Sequence, residues 1–268
     1  MNNFSKYYGE VSRLLKLFSR TLDIDNISKE DEPFASYNLT LIILLSETTS
    51  SISTLLKKKI YASVAPLLRI IIEGFFSLNW VTEVKESKNE MNDRIFCLEA
   101  YPSFLYEIEL EKMEEDLKSK NPSWKPEAVK IIRDAIEKDK LNNPSLTEIN
   151  KGKVCFKSAP GMTKRMSENR AKYYHLYSFT SFLSHPGPGM KILFLNKYKN
   201  DLAISFYEPL AKTMIQCMQF IIGILGNAVN IFNEFDGNDR RRKILDKIKQ
   251  VTLNAIKYYR EEYKREPI

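Results

Sequence analysis

VAPLLRIIIEGFFSLNWV, residues 64–81, is the stretch that decides the fold. Apolar side chains occupy most of its positions on every side of a helix, and only Arg69 and Glu73 carry charge. A helix that is apolar all round belongs in the centre of a protein, so we predict a buried helix over residues 61–86. The charge pair in its middle favours a buried soluble helix over a membrane span. We therefore expect the other helices to pack around this one.

Helical patterns also occur on both sides of this segment. Residues 3–22 and 34–58 have apolar side chains at a helical period, and the middle of the second segment reads SETTSSIST. Its small side chains permit a close approach of another helix. Five further helices are predicted over residues 88–120 with a break at Pro102, 125–140, 165–185, 208–235 and 238–264. The fold class is therefore all-α, a bundle of seven or eight helices that forms a single domain over residues 1–268.

Two segments depart from the helical pattern. Residues 141–164 contain two prolines and two glycines, and we expect an irregular loop there. Residues 191–206 have two short apolar runs on either side of the polar run Lys-Asn-Asp, which favours a small hairpin or an extended arm.

Composition limits the class of protein. With 43% hydrophobic and 28% charged residues, the chain has the composition of a globular protein. Its three cysteines are far apart, which fits neither a disulfide framework nor a zinc site. The N-terminal residues lack the apolar run of a signal peptide. We expect a cytoplasmic protein with no membrane span.

Residues 170–190, RAKYYHLYSFTSFLSHPGPGM, contain both histidines of the chain. On a helix, five polar side chains of this stretch fall within an arc of about 80°, while Leu176 lies on an apolar side. The five are Arg170, Tyr174, Ser178, Ser181 and His185. Because one flank is polar and reactive, we predict that any catalysis takes place in this stretch, where His185 shares the polar arc with Arg170 and His175 lies outside it.

Arg69 and Glu73 are four residues apart, so they share a helix face and can pair. Two interpretations stay open for this pair. It is either a structural ion pair that fixes the register of the helix, or part of a ligand or catalytic site. In the second case Tyr174, Ser178 and Ser181 complete a polar cluster with it.

Positive charge is concentrated at the C-terminal end of the chain. The formal net charge is +7, and residues 238–268 contain ten Lys or Arg against five Asp or Glu. The run Arg240, Arg241, Arg242 and Lys243 could attract a phosphate backbone. The alternative is a solvated helix face.

Several common catalytic motifs are absent from the sequence. There is no GxxxxGK[ST] loop, no GxGxxG after a strand and no HExxH. Nucleotide hydrolysis, dinucleotide redox chemistry and zinc proteolysis therefore lack their usual signs, and we expect no cofactor and no metal.

Arg170 and His175 form the pattern R-x4-H, which resembles the motif of HEPN (higher eukaryotes and prokaryotes nucleotide-binding) ribonucleases. The resemblance implies metal-independent cleavage of RNA, often across the interface of a homodimer. A cation would stabilise the charged phosphorane while imidazole moves the proton of the 2′-hydroxyl. Residues five apart on a continuous helix point about 140° apart, so the two side chains converge only if the helix begins near Arg170. The alternative for His175 is a helix histidine that flanks Phe179 and Phe182.

Two longer stretches, APLLRIIIEGFFSLNWV (65–81) and YYHLYSFTSFLSHPGPG (173–189), together resemble a bacterial family of unknown function, DUF5677. The resemblance implies an intracellular helical protein and transfers no activity. It suggests that Arg69, Glu73 and His185 belong to one cluster.

Two hypotheses follow for the function. The first is a HEPN-like ribonuclease, or a protein that binds RNA or another phosphate-bearing ligand, in a defence or toxin system. The second is a non-catalytic interaction or scaffold protein in which Arg69, Glu73 and His185 only lock the bundle.

Overall fold

The computed structural model confirms the all-α fold. Regular secondary structure in the described part of the chain is helical throughout. The described residues are 1–22, 27–29, 31–95, 98, 112, 114–116, 118–120, 130, 133–134, 176, 180, 200–236 and 238–263.

Five long helices are described with their bounds. They are α1 (Asn2–Ser19), α2 (Glu32–Lys57), α3 (Val64–Thr82), α4 (Asn200–Asp236) and α5 (Asp239–Tyr263). A 3-10 turn, Tyr61–Ser63, leads into α3, and residues 88–95 are also helical.

The hairpin or arm predicted for residues 191–206 is wrong where it can be compared. Helix α4 begins at Asn200 and passes through Pro209, and residues 191–199 lie outside the described residues. The run Lys-Asn-Asp suggested a turn, but Asn and Asp are favoured at helix N-termini as well as in turns. The loop predicted at 141–164 also lies outside the described residues.

The chain divides into two compact units. The first comprises Met1–Asn79 and Met162–Ile268, and the second comprises Trp80–Gly161. A single domain over residues 1–268 therefore stays a prediction, which a cooperative unfolding transition would support.

Within the first unit, α1 and α2 pack antiparallel along a seam of small side chains. Ser53 Oγ donates a hydrogen bond to the Ser5 carbonyl at 2.6 Å, and Ser12 Oγ donates to the Ser46 carbonyl at 2.9 Å. A Cβ added to Gly9 would lie 3.1 Å from Ser53 Oγ. These contacts confirm that the small residues of SETTSSIST permit a close approach.

Helix α3 is largely buried, as predicted from residues 64–81. No residue from 64 to 82 is more than partly exposed. Helix α3 runs parallel to α4, because Tyr61 contacts Tyr207 and Phe75 stacks on Phe220 with ring centroids 4.3 Å apart. Gly74 allows α3 to approach α2 closely, since a Cβ there would lie 2.7 Å from Leu41 Cδ1.

Helix α5 packs against α1 and α4. It is capped at its start by Asn238, whose Oδ1 accepts a hydrogen bond from the Arg240 backbone N–H at 3.0 Å. Towards its other end, the Tyr258 ring packs edge-on against Phe4 of α1, with centroids 5.7 Å apart. The two amphipathic helices α1 and α5 therefore lie side by side on the more apolar α2 and α4.

The second unit is described in fewer residues. The Arg94 guanidinium lies 5.0 Å from the centroid of the Trp80 ring and donates to the Trp80 carbonyl and to Glu90. Arg133 forms an ion pair of 2.7 Å with Glu114. Arg94 thus satisfies a carbonyl in the last turn of α3.

Candidate functional site

The histidine-containing stretch lies almost wholly outside the described residues. Neither histidine is described, and the same holds for Arg170, Tyr174, Ser178 and Ser181. Leu176 is buried, as its place on the apolar side predicts, and Thr180 Oγ1 donates to the Leu176 carbonyl at 3.0 Å. The R-x4-H motif, the polar arc and a cluster of Arg69 and Glu73 with His185 stay predictions.

Arg69 and Glu73 form the predicted ion pair. Arg69 Nε donates to Glu73 Oε1 at 2.7 Å, and the two side chains are 26% and 37% exposed. The pair is therefore reached by solvent, and its net contribution to stability is about 1 kcal/mol or less. It is not a sealed lock of the bundle, and Arg69 has further interactions besides this one.

The basic run at the start of α5 is split between surface and core. Arg240, Arg242 and Lys243 are exposed, but the Arg241 side chain is buried and only 1% exposed. The prediction that Arg241 belongs to a nucleic-acid patch is therefore wrong. The reason is its position: on the helix it lies on the buried stripe of Ile244, Leu245 and Ile248.

Arg241 joins three helices of the first unit. Its Nε donates to the Thr21 carbonyl at 3.1 Å, and its Nη2 donates to the same oxygen. Its Nη1 donates to Asn233 Oδ1 at 3.3 Å, and the guanidinium lies 5.3 Å from the centroid of the Phe232 ring. The cation lies just beyond the C-terminus of α1, where positive charge is favoured by the helix dipole.

Tyr8 makes a second contact of this kind between α1 and α4. Its hydroxyl donates to the Met214 carbonyl at 2.8 Å, and the side chain is fully buried. Burial raises the pKa of the Tyr8 phenol well above its ordinary value, so the group stays a hydrogen-bond donor. Sequence reasoning treated Tyr8 as one apolar position of an amphipathic helix and missed its bond.

The α1–α5 contact also affects one exposed carboxyl group. The pKa of Glu10 is lowered, first by the hydrogen bond from Arg13 and also by the charge of Lys247 on α5. Arg13 lies one turn from Glu10 on α1, and their closest approach is 2.5 Å. Both side chains are largely in solvent, so this arrangement has the character of a surface pair.

Metal binding has no basis in the described part of the chain. No group of three or more His, Cys, Asp or Glu side chains there could hold a metal ion. The RNA or phosphate-bearing ligand and the homodimer that we expected also find no support among the described residues.

Three helical segments are long and apolar enough, by length and composition, to cross a membrane. They are Glu32–Lys57, Tyr61–Thr82 and Tyr207–Asn233. The predictions of no membrane span and of a cytoplasmic location are therefore wrong. The charges of Arg69 and Glu73 suggested a soluble helix rather than a span, although a bonded pair costs less in an apolar medium than two separate charges. The run LTLIILL (residues 39–45) is by itself too short to span a membrane, but it is part of the 26-residue helix α2.

Comparison with known proteins identifies one family. The model of a family of unknown function, DUF5677, matches residues 36–201, which is more than half of the chain. No curated protein matches the chain, and no solved structure matches it.

Proposed function

Because the chain belongs to DUF5677, a family whose description carries no activity, we propose its function from its own residues. The protein is a non-catalytic helical scaffold that works at a membrane. Its buried polar side chains hold the helices in register, and its surface is left to contact partners.

One observation carries this proposal: buried polar side chains of the first unit donate to main-chain carbonyls of neighbouring helices or, for Arg241, of the turn that follows α1. The donors and their acceptor residues are Tyr8 to Met214, Ser12 to Ser46, Ser53 to Ser5, Cys217 to Leu68, and Arg241 to Thr21. Groups used in this way are sealed from substrate. A reactive site needs side chains that a ligand can reach.

These bonds suit a scaffold for an energetic reason. A carbonyl oxygen has two lone pairs, so it can accept a side-chain donor in addition to its helical N–H. Each bond from an O–H or N–H donor contributes about 1 kcal/mol and fixes one helix against the next at a single register, whereas the Cys217 thiol, 3.7 Å from the Leu68 carbonyl, is a weaker donor. The five bonds, spread over α1, α2, α3, α4 and α5, favour one arrangement of the unit over slipped alternatives.

The composition of α2, α3 and α4 supports the membrane part of the proposal. Each contains an apolar window of membrane-spanning length, and between 50% and 56% of the residues in each window are buried by the protein itself. In Glu32–Lys57 the remaining surface includes Ile43 and Leu44, which are 45% and 42% exposed. Apolar surface of this kind is stabilised by lipid.

Flotation of a bacterial lysate in a density gradient tests the proposal. The full-length chain is expressed without a tag, and the lysate is loaded at the bottom beneath lighter sucrose. We expect the chain to rise with the membranes, while a soluble marker protein stays in the loading zone. Aggregated chain pellets and is thereby told apart. A chain that stays with the soluble marker would overturn the proposal.

A further inference from the structure

The sequence Lys57-Lys58-Lys59-Ile60-Tyr61 begins at the last residue of α2 and ends at the first residue of the 3-10 turn that leads into α3. We call these five residues the lysine corner. All three lysines are exposed, and Ile60 is 44% exposed although it is a large apolar side chain. None of the three lysines forms an ion pair with a described residue. The corner therefore combines exposed apolar surface with positive charge that no described residue pairs with.

The backbone of the lysine corner is fixed by hydrogen bonds. The Ile60 N–H donates to the Leu55 carbonyl at 2.9 Å, and the Lys59 N–H donates to the Leu56 carbonyl at 3.1 Å. Lys59 adopts φ of 59°, the left-handed conformation that closes a helix in this way. The pattern is a Schellman motif with lysine in place of the usual glycine. The corner is thus a structured element with its side chains held outwards.

The lysine corner lies at the end of the unit that the three apolar helices share. Helix α2 ends there and α3 begins there, and the Tyr61 ring meets Tyr207 of α4 edge-on with centroids 5.2 Å apart. Tyrosine is favoured at the boundary between lipid and water. No carboxylate occurs in the sequence between Glu47 and Glu73.

We infer that the lysine corner docks on the headgroups of an anionic phospholipid leaflet. The lysines lie among the phosphates, Ile60 enters the acyl boundary, and Tyr61 lies at the level of the headgroups. The inference deepens the proposed function, because it rests on membrane association and names the surface and the lipid charge. A membrane is favoured over RNA because the charge is combined with exposed isoleucine and with three apolar helices.

Vesicle binding tests this inference. The purified full-length chain is mixed with vesicles of phosphatidylcholine alone or with vesicles that also contain about 30% phosphatidylglycerol, whose negative surface attracts basic segments. The bound fraction is measured after flotation. A lysine near an anionic leaflet contributes about fivefold to binding, so Lys57→Gln, Lys58→Gln and Lys59→Gln together should lower it about 100-fold. Ile60→Ser should lower it further, and added salt should weaken binding of the wild type.

A charge-matched variant provides the control. Lys243→Gln, Lys247→Gln and Lys249→Gln remove the same charge from exposed positions of α5 and should lower binding much less. The three lysines of the corner also complement the negative end of the α2 dipole, so their replacement can lower stability. The urea midpoint of each variant is therefore measured to show that it is folded.

Three results would overturn the inference: equal binding to neutral and anionic vesicles, equal loss in both triple variants, or RNA binding that depends on the corner in the absence of vesicle binding. A chain that floats with cell membranes but behaves in one of these ways would leave the proposed function intact. A chain that stays soluble in cells would remove the proposed function itself.

Discussion

Replacement of Arg241 by methionine is the sharpest test of how the first unit is held together. Methionine keeps most of the side-chain volume and its contact with the Phe232 ring, but it donates no hydrogen bond. The Thr21 carbonyl and Asn233 Oδ1 lose the donor that Arg241 supplies to each of them. The substitution therefore removes the polar link between α1, α4 and α5.

The size of the effect follows from the burial of these groups. Arg241 is 1% exposed and Thr21 is 9% exposed, so water does not readily replace the lost donor. A buried acceptor left without its partner costs about 1–3 kcal/mol, which applies to the Thr21 carbonyl, and the part-buried Asn233 side chain adds a smaller cost. We expect the free energy of unfolding to fall by about 3 kcal/mol, which lowers the urea midpoint by about 1 M.

Two neighbouring residues provide matched controls. Arg240 and Arg242 are exposed, so Arg240→Met and Arg242→Met should each change the free energy of unfolding by about 0.5 kcal/mol or less. Urea unfolding followed by circular dichroism measures all three variants. If Arg241→Met unfolds at the same urea concentration as the two controls, the burial and bonding of Arg241 described above are incorrect.

Three further predictions concern single positions. Gly226→Ala should raise the melting temperature, because a Cβ there meets open space and alanine is favoured in a helix by about 1 kcal/mol; Gly223→Ala should lower it, because a Cβ there lies 2.9 Å from a stacked aromatic ring of α3. Lys59→Gly should stabilise the chain by about 1 kcal/mol in urea unfolding, because its φ of 59° is strained for lysine, whereas Lys58→Gly at φ of −81° should not. The pKa of the Tyr8 phenol is raised only in the folded state, where it is buried, so the unfolded chain loses this proton first as pH rises. The free energy of unfolding therefore falls as pH rises above about 10. Urea titrations at pH 8 and at about pH 10.5 should show that Tyr8→Phe reduces this fall; the same pH dependence in both proteins would contradict the burial of Tyr8.

The helices themselves could be predicted well from the sequence. Residues 3–22 and 61–86 were predicted, and the structure has Asn2–Ser19 and Val64–Thr82. Apolar side chains at a helical period determine which face is buried, so the existence of these helices and the burial of α3 follow from the pattern. Their ends depend on individual hydrogen bonds, and for that reason the predicted bounds differ by a few residues.

The role of single polar residues was harder to predict. Arg241 was assigned to a surface patch from its neighbours in sequence, although its spacing to Ile244, Leu245 and Ile248 already indicated the buried stripe. The hydrogen bond from Tyr8 to the Met214 carbonyl joins residues 206 positions apart, and no local sequence pattern predicts such a pair. Partial exposure of Arg69 and Glu73 likewise depends on what packs beside them, which the spacing of four residues does not determine.

Incubation of total RNA with the purified chain tests most directly the central proposal of a non-catalytic scaffold. The wild-type chain is compared with His175→Ala and His185→Ala, because the sequence contains no other histidine that could act as a general acid or base. We predict that the RNA stays at full length with all three proteins. Cleavage by the wild type that either substitution abolishes would contradict the scaffold and support the R-x4-H motif as a catalytic one.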